Sequence, residues 1–93
     1  MNDYADPEQS ARLVPPITEA QLRARIARIE SLVIAMDKLQ DTVTFVEAGA
    51  DSLDLFSIVS AIEEATGLNI PDEDVEKVAT LRGLAAYLNA RMT

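Results

Sequence analysis

The sequence contains no cysteine and no histidine. The first absence excludes disulfides, zinc–thiolate sites and any thiol nucleophile supplied by the chain itself. The second removes the commonest general base and metal ligand. Catalysis by this chain alone is therefore not expected. Aromatic residues are scarce, with two Tyr, two Phe and no Trp. No apolar run is long enough to cross a bilayer, so membrane insertion is not expected. The opening segment MNDYADPEQSARLVPP is polar and acidic, unlike a secretory signal, and the cytoplasm is the expected location. Basic residues are few: 8 Lys and Arg stand against 16 Asp and Glu, a net charge of -8. Such a field disfavours nucleic acid and anionic membranes and favours partners with basic surfaces.

The chain has 93 residues, 48% of them apolar, which suits one small globular domain. Residues 1–17, closed by Pro15-Pro16, read as a flexible N-terminal tail, and 18–93 as the folded domain. Thr18 is placed to cap a first helix from about Glu19 to about Met36, where Leu22, Ile26, Ile29, Val33 and Met36 recur at helical spacing. Arg23, Arg25 and Arg28 fall mostly off that stripe and read as a solvated face. Residues 37–50 show no sustained period. They read as an ordered loop pinned to the core by Leu39, Val43 and Phe45. A second helix starts at Asp51 or Ser52 and stops at Gly67, a residue suited to a left-handed C-terminal cap. Pro71 opens a short third helix to Val78, with Asp72, Glu73 and Asp74 at its positive end. Thr80 caps a last helix carrying Leu81, Leu84, Ala85 and Leu88. The fold class is all-α: a small four-helix bundle with a long first loop and a short third helix.

The second helix raises a specific question. Stepping about 100° per residue places Leu55, Ile58, Val59, Ile62 and Ala65 on one arc, the core face. Asp54, Ser57, Ser60 and Glu64 fall opposite, toward water, with Phe56 and Glu63 on the rim. Leu53 lands on the polar arc, where it serves no core. Asp51 can cap the helix, leaving the Ser52 hydroxyl projecting from the positive end, a location that suits a phosphate ester. Asp-Ser at a helix start is also accounted for by capping alone. Nucleophilic catalysis by Ser52 is disfavoured: the stretch is not a G-x-S-x-G elbow, and no His exists to take the proton. An unmodified acidic adaptor that uses Leu53 only for binding stays open.

"GADSLD" followed by an amphipathic helix ending in "AIEEATGLNIPDED" resembles the acyl carrier protein family. The segments "MDKLQDTVTFVEAGADSL" and "IPDEDVEKVATLRGLAAYL" extend the likeness, which covers about Thr18 to Met92. The resemblance implies that Ser52 is the attachment point of 4'-phosphopantetheine, with Asp51 and Leu53 beside it. The group would be transferred from coenzyme A by a phosphopantetheinyl transferase using magnesium, and would carry cargo as a thioester. It further implies that Asp54, Ser57, Ser60, Glu63, Glu64 and Ile70 dock partners. Those partners would be acyl- or aminoacyl-loading ligases and acyltransferases with basic patches, and the carrier a monomer. Two positions depart from the fatty-acid type. Ser57 stands where Glu is usual, and Ser60 where an apolar residue is usual. The loop before Ser52 is also one residue shorter. These departures suggest a dedicated lipid or secondary-metabolite pathway, with aminoacyl or peptidyl cargo as the alternative.

Overall fold

The computed structural model describes residues 12–30, 32 and 34–92. Val33, most of the expected tail (residues 1–11) and Thr93 lie outside the described residues. Helix α1 spans Glu19–Ala27, α2 Ser52–Thr66, α3 Asp72–Val78 and α4 Leu81–Met92; α3 is wound as a 3-10 helix. Among the described residues there is no strand, and a single isolated bridge pairs Thr44 with Thr80. The architecture is the expected all-α bundle.

Helices α1, α2 and α4 start where a side chain can satisfy a free amide, whereas α3 follows Pro71 without a side-chain cap. Thr18 accepts the Gln21 N–H at 3.2 Å, and the Gln21 side chain accepts the Thr18 N–H at 2.9 Å. Thr80 Oγ1 accepts the Gly83 N–H at 2.9 Å at the head of α4. Helix α2 ends at Gly67, whose φ of 77° lies in the left-handed region that L side chains rarely adopt. Leu22 and Ile26 of α1, Ile58 and Ile62 of α2, and Leu81, Leu84 and Leu88 of α4 form the core. Burying each such side chain stabilises by about 1.5–3 kcal/mol.

The first helix is half as long as its periodicity suggests. Beyond Ala27 the amides of Arg28, Ile29 and Leu32 bond three residues back, to Arg25, Ile26 and Ile29. The reason is packing. A straight helix would carry Leu32 and Ile34 away from the Leu22–Ile26 stripe, whereas here both pack against the core together with Ile29 and Met36. Arg23, expected in a solvated face, instead ties the folded-back chain by donating to the Met36 carbonyl at 3.1 Å.

A second correction concerns the expected tail. Residues 12–17 are packed against the bundle. Leu13 and Ile17 are buried, and Leu13 N–H donates to the Ala65 carbonyl at 3.0 Å. Asn89 brackets Ile17, accepting its N–H at 2.8 Å and donating to its carbonyl at 2.9 Å. The loop reading of residues 37–50 holds. Leu39 and Phe45 are fully buried, and Phe45 N–H bonds the Ala79 carbonyl at 2.9 Å.

Helix α3 is held to α4 from both sides. The buried Asp74 carboxylate accepts from the Tyr87 hydroxyl at 2.7 Å and from Arg91 at 3.1 Å, with Lys77 at 3.3 Å. The Tyr87 hydrogen bond, followed by these cations, holds the Asp74 carboxyl below its ordinary range against the opposing effect of desolvation. Burial and the same hydrogen bond push Tyr87 up. Gly83 makes this approach possible, because a Cβ there would stand 2.7 Å from the Lys77 carbonyl oxygen.

Candidate functional site

The turn before α2 sets the position of Ser52. Thr44 and Glu47 close it reciprocally: the Glu47 carboxylate accepts the Thr44 N–H and hydroxyl at 3.0 and 3.1 Å, and Thr44 Oγ1 accepts the Glu47 N–H at 3.0 Å. The Thr44 N–H first, and its hydroxyl second, lower the pKa of Glu47. Ala48 and Ala50 are buried, and the Ala50 N–H bonds the Phe45 carbonyl at 2.9 Å. Asp51 then leaves the turn with extended backbone, φ -97° and ψ -171°, and caps α2.

The cap is a reciprocal pair of aspartates. Asp51 accepts the Asp54 N–H at 2.9 Å, and the Asp54 carboxylate accepts the Asp51 N–H at 3.2 Å. Asp54, expected on the water-facing docking arc, is only 7% exposed. Reaching back to the Asp51 amide draws its carboxylate inward, so Asp54 belongs to the cap and not to the surface. Ser52 is the first residue of α2 and is exposed. Among the described residues its hydroxyl has no hydrogen-bond partner. Leu53 beside it is 76% exposed.

The other expected docking residues divide. Glu64 is exposed, while Ser57 and Ser60 are half-exposed. Glu63 is also half-exposed, and one of its oxygens accepts the Ile70 N–H at 2.8 Å, fastening the α2–α3 connection. Ile70 itself is only 5% exposed, and it lines a groove together with Ser52 and Phe56. It closes the core beneath the connection before Pro71. Phe56, read as a rim residue, is 70% exposed. Helical spacing could not reveal this, because it gives a direction and says nothing of what stands opposite.

A groove of about 390 Å³ runs between α2 and α3. Ser52, Phe56 and Ser60 line it from α2 and Val75 from α3. A second cavity of about 200 Å³ shares Leu55, Val59 and Val75 with it and reaches Phe45. The hydroxyl thus stands at the positive end of a 15-residue helix, beside a groove whose lining mixes Leu55, Phe56 and Val59 with Glu63, Asn69 and Asp72. It can bear an ester.

The family model for phosphopantetheine attachment sites matches residues 20–88. The chain is 42% identical over 64 residues to an acyl carrier protein of Bdellovibrio bacteriovorus, covering 68% of this chain and 82% of that one. It is 39% identical over 62 residues to an acyl carrier protein of Zymomonas mobilis, covering 66% and 80%.

The chain belongs to the acyl carrier protein family. Its cofactor is 4'-phosphopantetheine, and it is a carrier and not an enzyme. The residues of this acyl carrier protein fit that group. It offers an exposed hydroxyl at a helix N-terminus, where a phosphodiester is favoured, and it has no thiol of its own. No described helix is long and apolar enough to cross a membrane.

Proposed function

We propose that Ser52 bears the phosphopantetheine of a carrier dedicated to one lipid or secondary-metabolite pathway, where it passes acyl groups between enzymes of the cytoplasm. One observation carries this reading: Asp51 and Asp54 cap α2 by bonding each other's amides, and the Ser52 hydroxyl is left exposed. When bound, the group supplies a thiol on a long flexible arm, on which acyl cargo rides as a thioester. The chain's own residues fix the root of that arm. Asp51 and Asp54 set the first turn, and the positive end of α2 favours the phosphodiester.

Leu53, Ser57, Ser60, Glu63 and Glu64 supply the surface read by partner enzymes. Ser57 and Ser60 support a dedicated pathway, since they remove charge and apolar surface that a general fatty-acid carrier would present. The protein works as a monomer. Its partners are a phosphopantetheinyl transferase, a loading ligase and acyltransferases. Loading tests the reading: the holo protein is offered to candidate ligases with ATP and either fatty or amino acids. Acylation supports the proposal. Exclusive aminoacylation replaces it with an aminoacyl carrier.

A further inference from the structure

We infer that residues 12–17 and Asn89 form a clasp that ties the C-terminal end of α2 to α4, so that the bundle opens along its α2–α3 groove and stays shut on the clasped side. Both halves of the clasp lie outside residues 20–88, which the family model matches. The clasp is thus an addition to the matched part of the chain.

It begins as a helix cap. The last carbonyls of a helix find no partner within it. In α2 the Glu63 carbonyl is taken by the Gly67 N–H at 2.8 Å, and the Ala65 carbonyl by the Leu13 N–H at 3.0 Å. The last turn of α2 holds no basic residue. Arg12 supplies one. A Cβ built on Gly67 would stand 3.3 Å from Arg12 Nη1, so the guanidinium lies by the end of the helix, where the macrodipole favours a cation. A segment distant in the chain completes the helix end.

The same segment is fastened to α4. Asn89 accepts the Ile17 N–H at 2.8 Å and donates to the Ile17 carbonyl at 2.9 Å, so one side-chain amide holds both backbone groups of a residue. Leu13 and Ile17, 8% and 3% exposed, join Ile62, Ala65, Leu84 and Leu88 in one core cluster. The link between the two anchors, Val14-Pro15-Pro16, is short and stiffened by two prolines. A loss at one anchor is therefore felt at the other.

The α3 side is built differently. Helix α3 is wound as 3-10, whose hydrogen-bond geometry is poorer, and it starts without a side-chain cap. With α2 it lines both the 390 Å³ groove and the 200 Å³ cavity. The polar ties of its buried Asp74 run to α4. Local opening follows the less firmly packed side.

Native-state hydrogen exchange on the full chain, read amide by amide, tests the clasp. In the wild type the Leu13 and Ile17 amides are expected to be protected at least about tenfold more strongly than those of residues 75–78. The decisive comparison is crossed. Asn89→Ala removes the partner of Ile17, yet should lower protection at Leu13 by about tenfold or more. Leu13→Ala leaves Asn89 in place, yet should lower protection at Ile17 to a like degree. In both variants the amides of residues 75–78, which open locally, should stay within about twofold of wild type. Clasp amides no better protected than those of α3 in the wild type overturn the inference. So does a variant that affects only the amide whose own contact it removes, or one that loosens α3 and the clasp alike.

Discussion

Asp51 and Asp54 grip one another's backbone amides at 2.9 and 3.2 Å, so the acid two residues after Ser52 is a structural part of the helix start. Asp54→Ala should therefore cost about 1 kcal/mol of stability, the usual worth of a lost cap. Asp54→Asn, which keeps an acceptor, should cost less. Urea denaturation measures both. Wild-type stability in Asp54→Ala would return this residue to the docking face.

Tyr87 and Asp74 make a prediction in pH. The folded Asp74 carboxyl titrates lower than an unfolded one, first because of the Tyr87 hydrogen bond. A depressed acid contributes stability that is present above its unfolded pKa, near about 3.9, and is lost as pH falls through its folded value. Tyr87→Phe should lower the melting temperature at neutral pH and flatten its decline on the acid side. Parallel acid limbs in the two proteins would show that Asp74 is held by its cations alone.

Gly83 tests the close approach of α3 to α4. An added Cβ meets backbone at 2.7 Å, and backbone cannot rotate away. Gly83→Ala should destabilise even though alanine is the better helix former by about 1 kcal/mol. Thermal melts by circular dichroism decide it. A stabilised variant would mean that α3 yields readily.

Much of this fold was legible because local chemistry and tertiary demand agreed. Thr18, Asp51, Thr80 and Gly67 are capping residues in capping places, and each marks a real helix end. Phe45 and Leu39 stood out in a loop because isolated apolar residues among polar ones need somewhere to go. The failures came where a long-range contact outbid the local pattern. The α1 stripe was genuine as far as Ile26, but burial of Leu32 and Ile34 bent the chain away from it. Leu13 and Ile17 looked like part of a loose tail because nothing local says that Ala65 and Asn89 will receive their amides.

At the site, Ser52 and Leu53 were legible from helical phase and charge. Asp54 was placed on the correct side of the wheel, yet its short side chain found the Asp51 amide before it found solvent. Ile70 is more buried and Phe56 more exposed than the sequence suggested, for the same kind of reason. A connection had to be sealed, and Ile70 lay beneath it. Phe56 stays 70% exposed at the edge of the groove between α2 and α3.

The most direct measurement is the intact mass of wild type and Ser52→Ala after incubation with a phosphopantetheinyl transferase, coenzyme A and magnesium, alongside their melting curves. The wild type should gain one phosphopantetheinyl group that peptide fragmentation places on Ser52, and Ser52→Ala should gain none while melting at nearly the same temperature. A mass gain that survives the substitution, or a wild type that several transferases leave unmodified, would contradict the account.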